Sequence, residues 1–172
     1  MLTMAMNDRA RELFDIRTGF AALDSSGGLA AGLRDWADRG LEIRGEILAW
    51  KPVPFSAADA PADFGDLTGW ESAHTALHLD DFVPVTISDS DGQPRIGPDD
   101  QRELLRQGIA LAFEIGRLAA ELPVPQSIRC VVSANDTNGT FRFHRIRAGE
   151  SWHDADLDSY ESDHVVVLDF QV

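Results

Sequence analysis

The spacing of apolar residues divides the chain into helical and extended stretches. Leu13, Ile16, Phe20 and Leu23 recur at helical spacing behind Asn7, a residue suited to capping, so a helix is expected from Asn7 to about Phe20. Ser25-Ser26-Gly27-Gly28 breaks it. Leu29, Leu33 and Trp36 predict a second helix over residues 29–39, with Gly40 placed to end it. Leu41 to Trp50 reads as one strand. Leu41 and Ile43 alternate with Glu42 and Arg44, and the phase slips after Gly45 as at a β-bulge. Residues 51–70, with Pro52, Pro54, Pro61 and Gly65, read as a loop. A short helix is expected over Glu71 to Leu79, a strand over Phe82 to Ser88, and a turn at Asp89-Ser90-Asp91-Gly92.

The strongest pattern lies in residues 98–122. Pro98 suits a first helical turn, Asp99, Asp100 and Glu103 complement the positive end of the helix dipole, and Pro123 stops the helix. Leu104, Leu105, Ile109, Leu111, Phe113, Ile115, Leu118 and Leu122 make it apolar over most of its girth, which predicts a central helix. Gly108, Ala112, Gly116 and Ala120 form a small-residue row where another element can approach closely. Ile128, Cys130 and Val132 then alternate up one strand, and Phe141 and Phe143 down a second, with Asn138-Gly139 as the expected hairpin turn. Val165-Val166-Val167-Leu168, a run without alternation, predicts a strand covered on both faces inside a sheet. Together these elements give an α+β class: a mostly antiparallel sheet packed on a long central helix, with additional N-terminal helices, in a single domain over residues 1–172.

Charge changes this picture more than composition does. The 172 residues carry a net charge of −14, which disfavours nucleic acid and anionic membrane as partners. The distribution is uneven. Residues 52–100 hold 10 acids and one base, residues 101–147 hold 4 acids and 7 arginines, and residues 148–172 hold 7 acids and no base. No apolar run reaches membrane-spanning length, the N-terminus lacks a basic leader segment, and Cys130 is the single cysteine, so a cytoplasmic protein is expected.

Several residue sets carry candidate chemistry. On one helix, Glu71, His74 and His78 would share a face at a spacing that could hold a divalent metal, but Thr75 stands where a zinc-protease motif needs Glu, and a polar helix face with no bound metal is the expected reading. Ser151, His153 and Asp154 are the residue types of a hydrolase triad, but they are too close in sequence to converge from separate parts of a fold, and a turn is expected. Cys130 in mid-strand reads as a small buried hydrophobe. No cofactor is expected. An enzyme site assembled from scattered residues such as Glu46, His74, His78 and His144 stands as an alternative, as does an acidic chaperone or assembly subunit.

The most suggestive segment is acidic and aromatic together. Glu150, Asp154, Asp156, Asp158, Glu161 and Asp163 flank Trp152 and Tyr160, and Asp80 and Asp81, with Asp89 and Asp91, are candidates to extend the same surface. Acids steer an encounter with a basic partner, and Trp and Tyr are common interface anchors. The stretch Arg129-Cys130-Val131-Val132-Ser133 through Phe141-Arg142-Phe143-His144 to Gly149-Glu150-Ser151-Trp152 resembles the corresponding part of small bacterial immunity proteins, over about the C-terminal quarter of the chain. The resemblance implies a non-catalytic inhibitor that blocks the active site of one cognate toxin, a nuclease or an NAD-consuming enzyme with a basic active-site cleft. Immunity interfaces are not defined by motif, so the partner-binding candidates are those read from charge and aromatic content.

Overall fold

The computed structural model describes residues 1–15, 23, 27–53, 65–90 and 93–172. Its centre is a five-stranded antiparallel sheet. The strands are β1 (Leu2–Met6), β4 (Leu77–His78), β7 (Ile128–Ala134), β8 (Gly139–Arg145) and β9 (His164–Phe170), in the order β1-β9-β7-β8-β4. The last strand therefore lies inside the sheet, between β1 and β7. β1 was not foreseen; it adds the N-terminus to the edge of β9, with Met4 opposite Leu168 and Met6 opposite Val166.

Strand geometry sends alternate residues to opposite faces. On the inner face, Met6, Val166, Val132, Phe141 and Leu77 line up across all five strands, and each is buried. The long helix Pro98–Ala120 packs over this face, against β7, β8 and β9. The small-residue row explains how close it comes. A Cβ at Gly108 would lie 2.3 Å from Val132 Cγ1, and one at Gly116 would lie 2.4 Å from Phe170 Cδ1.

Local chemistry sets the flanking elements. Helix α1 covers only Asp8–Phe14, and Asp15 closes it in a left-handed conformation at φ 48°. Residues 16–22, the rest of the expected helix, lie outside the described residues, as do residues 24–26 of the expected break. Asn7 is buried and caps α1 by accepting from the Ala10 N–H at 3.0 Å; the same oxygen accepts from Val165 N–H at 3.0 Å, which fixes the helix to β9. Helix α2 (Ala31–Arg39) ends at Gly40 as expected and packs on the long helix.

Four expectations change. Residues 41–50 form a hairpin of β2 (Leu41–Arg44) and β3 (Ile47–Trp50), not one bulged strand. Gly45, at φ 62°, begins the two-residue turn, as in a II′ hairpin. The expected helix over 71–79 is displaced toward the N-terminus: α3 spans Leu67–His74, because Asp66 caps it by accepting from Gly69 N–H at 2.6 Å. The chain then enters β4 and a short 3-10 turn at Leu79–Asp81. Strand β5 (Ile87–Ser90) pairs with β6 (Gln93–Ile96), so Asp89 and Ser90 are strand residues, Val83 precedes the strand, and Asp91 and Gly92 lie outside the described residues. The long helix is α4. Finally, the β7–β8 turn is organised by Asn135 rather than by Asn138-Gly139: its side-chain oxygen accepts from the N–H groups of Thr137 at 2.7 Å and Asn138 at 3.0 Å.

Candidate functional site

β8 pairs with β4 only at Phe141 and Thr140, which leaves the rest of its edge open to be satisfied otherwise. Helix α3 and its C-cap residue do this with side chains. Thr75 Oγ1 accepts from Phe143 N–H at 3.0 Å and donates to Phe143 O at 2.6 Å, while Glu71 Oε2 accepts from Arg145 N–H at 2.8 Å. Four residues of helix advance about 6 Å and two residues of strand about 7 Å, so the two rows stay in step. The other Glu71 oxygen accepts from Leu48 N–H on β3 at 2.7 Å. Arg147 closes the site with a bidentate pair at 2.7 and 2.8 Å. Burial disfavours the Arg147 charge, but the hydrogen bonds and field of Glu71 outweigh it and raise the guanidinium pKa.

This arrangement separates the candidate metal ligands. Glu71 is fully buried in its ion pair; His74 stacks on Trp70 at 3.8 Å and holds Trp70 O through Nδ1; His78 is exposed on β4. The helix turn that would have aligned them ends before His78. Among the described residues no group of three metal-ligating side chains occurs. Ser151 donates to the His153 carbonyl and His153 Nδ1 to the Asp154 carbonyl, so these residues form a local turn. Cys130 is fully buried, and burial, with the Asp169 charge adding to it, pushes its thiol pKa up. Glu46, His74, His78 and His144 are absent from the linings of the clefts beside Leu41–Gly45, beneath residues 150–163 and beside Arg9–Leu13. His144 is buried at 2% exposure, and burial holds its pKa below the ordinary histidine value.

The outer face of the central sheet is chemically different from the inner one. Val165, Ser133 and Thr140 form one cross-strand row; Val167, Val131 and Arg142 form the next; Asp169, Arg129 and His144 form the third. Arg129 and Asp169 join β7 to β9 by two hydrogen bonds of 2.6 Å. Residues 150–163 cross this face as a strap. Leu157 and Tyr160 pack on Val131, Val165 and Val167, which is why the valine run of β9 lacks alternation.

Hydrogen bonds fix the strap at both ends. Glu150 accepts from Thr68 N–H at 3.1 Å, and bonding from Thr68 holds its carboxyl below the usual range. Asp163 accepts at its carbonyl from Asn7 and at its carboxylate from Asn135, both at 2.7 Å. Between these anchors, Asp154 and Asp156 each accept from the N–H two residues on, and Asp158 accepts from Asp8 N–H at 2.7 Å. Asp154, Asp156, Asp158 and Glu161 are exposed, and Trp152 is 40% exposed. Asp80 is half-buried and accepts from Gly139 N–H at 2.9 Å, reaching the β7–β8 turn from the edge opposite to Asp163; Asp81 is exposed.

Beneath the strap lies a cleft of about 310 Å³, lined by residues that include Arg142, Ser133, Thr140, Trp152, His153 and Tyr160. Sequence reasoning missed Arg142. Its one visible signal was position: it alternates with Phe141 and Phe143 and so had to face away from the core. No helix among the described residues is long and apolar enough to cross a membrane. No curated protein and no solved structure matches the chain. Residues 15–172 match the Uncharacterized protein PM0498 family, and the chain belongs to that family.

Proposed function

We propose that this protein is a non-catalytic inhibitor of the immunity type, which docks its acidic strap onto the basic active-site cleft of one toxin enzyme. The observation that carries the reading is the strap itself. Four exposed carboxylates, at Asp154, Asp156, Asp158 and Glu161, stand beside a part-exposed Trp152 on a segment pinned at both ends. Pinning matters because a pre-ordered surface loses less conformational freedom on binding. Exposed acids raise the encounter rate with a basic cleft, and an aromatic side chain supplies the anchor that water cannot displace. In a nuclease the carboxylates would take the place of phosphates; in an NAD-consuming enzyme a strap side chain would enter the nucleotide pocket.

Where a toxin-like gene lies beside the one encoding this chain, its product provides the test. Co-expression of the chain should restore growth, and the purified pair should associate at a rate that falls steeply with salt. Reversing charge at Asp154→Lys, Asp156→Lys and Glu161→Lys together should slow association by roughly tenfold or more at low salt and flatten the salt dependence. An unchanged on-rate rules out the strap as the docking surface.

A further inference from the structure

We propose that the cleft between the strap and the outer sheet face binds a small organic monocarboxylate, with Arg142 holding the carboxylate. This goes beyond the docking reading and is read on the protein alone, so neither result decides the other.

The floor of the cleft is set by strand register. Arg142 lies opposite Val131, and Thr140 lies opposite Ser133. The strap supplies Trp152, His153 and Tyr160 as walls. Arg142 is the unusual member. Of the other partly buried arginines on these strands and just after them, Arg129 and Arg147 hold carboxylates, Asp169 and Glu71, and Arg145 donates to the Glu46 carbonyl. Arg142 is half-buried in a chain with 29 acids, yet among the described residues its neighbour is the Trp152 ring at 5.2 Å, with no ion pair or hydrogen bond. A guanidinium removed from water without an anion is costly, and its two parallel N–H groups fit a carboxylate in bidentate fashion.

The surrounding groups are also donors. The Ser133 and Thr140 hydroxyls lie 2.8 Å apart, so one proton is shared between them and the other can be donated into the cleft. Tyr160 accepts from Asp154 N–H at 2.9 Å, which leaves its own hydroxyl proton to donate. The carboxylate that lines the cleft, Asp163, is already engaged by Asn135. His153 donates through Nδ1 to the Asp154 carbonyl and its Nε2 is enclosed, so this side chain serves the cleft as a wall.

Charge decides the ligand class. Arg142 is the single guanidinium in the lining, and Asp154, Asp156, Asp158, Glu161 and Asp163 belong to the strap above it. Their field opposes a second negative charge, which disfavours a phosphate dianion and leaves a monoanion. Val131, Val165, Trp152 and Tyr160 give the organic body an apolar and aromatic seat, and the volume is at the small end for ligand sites.

The experiment titrates the full chain with acetate, benzoate and phenylacetate, and in separate arms with benzamide and inorganic phosphate. Binding is followed by the NMR shifts of the Arg142 Nε–H and of the backbone amides. At least one monocarboxylate should saturate, shifting Arg142 together with residues 131, 133, 140, 152 and 160. Benzamide should bind at least about tenfold more weakly than benzoate, since it lacks the charge. Arg142→Lys should weaken binding by about tenfold, because it keeps the charge and loses the fork, and Arg142→Met should abolish it. Each variant is compared only with wild-type amide shifts elsewhere in the sheet, and the wild-type Arg142 shift stands as a readout if a variant does not fold. The proposal is overturned if no monocarboxylate saturates, if binding leaves Arg142 unshifted or survives Arg142→Met, or if benzamide or phosphate binds as well.

Discussion

The two faces of β7, β8 and β9 are made of the same three strands, yet they do different work. Val132 and Val131 are neighbours in sequence and point in opposite directions. Val132 is fully buried against Gly108 of α4, within a row of apolar residues that crosses the sheet. Val131 lies beneath a polar strap, next to Arg142 and facing a cleft. The inner face is a close-packed interface whose helix carries glycines at the points of contact. The outer face is covered by a segment held through hydrogen bonds, with charge and open volume left over. The lesson is a division of labour by strand parity: one parity stabilises the fold, and the other presents chemistry.

The largest test of that division compares truncations on the two faces. Phe141→Ala, fully buried on the inner face, should cost about 3–5 kcal/mol of unfolding free energy. Leu157→Ala, which removes a half-buried strap contact, should cost about 1 kcal/mol. Urea denaturation of both variants measures the difference. Equal losses would mean that the strap is part of the core.

A smaller effect is expected where α4 touches β7. Gly108→Ala adds helix propensity, but its new methyl would collide with Val132 Cγ1, so a net loss of about 1–3 kcal/mol is expected. The double variant Gly108→Ala, Val132→Ala should recover part of it. No recovery would show that the contact is not the limiting one.

The smallest expected effect is on pH dependence, and it belongs to the outer face. Burial lowers the His144 pKa, the hydrogen bond to Arg145 O and the Glu71 charge oppose this, and Arg129 and Arg147 reinforce it. A histidine with a depressed folded pKa resists protonation in the fold while the unfolded chain takes up the proton. Stability should therefore fall as pH drops below the ordinary histidine value of about 6.5. Glu150 acts lower on the scale. Its depressed carboxyl stabilises the fold above the ordinary glutamate range, and that contribution is lost as pH falls through its folded pKa. Denaturation midpoints should decline toward acid, with His144→Gln flattening the upper part of the profile and Glu150→Gln the lower. His164, on the inner-face parity and also depressed by burial, has the same sign as His144, so the single variants His144→Gln and His164→Gln separate the two contributions.

How much of this was legible beforehand follows from the range over which each signal acts. The α4 helix was legible because proline, early acids and apolar spacing all lie within the helix itself. β9 was legible because a valine run without alternation implies cover on both faces; that the cover is the acidic segment just before it, through Leu157 and Tyr160, was not. The apolar pattern places a helix over 71–79, whereas the Asp66 cap sets its start at Leu67. At Gly45 the sequence pattern fits a bulge as well as a hairpin turn, since a glycine with positive φ serves both.

Of the site, the sequence by itself determined that residues 150–163 are acidic and aromatic, and that Arg142 faces away from Phe141 and Phe143. These are consequences of composition and of the two-residue period of a strand. Only the tertiary structure decided that Glu71 belongs to Arg147 rather than to a histidine pair, that Glu150 and Asp163 are anchors while their neighbours stay exposed, and that Arg142 shares a cleft with Tyr160. Those outcomes depend on contacts between residues far apart in sequence, where the partner of a charge is chosen by packing and not by spacing along the chain.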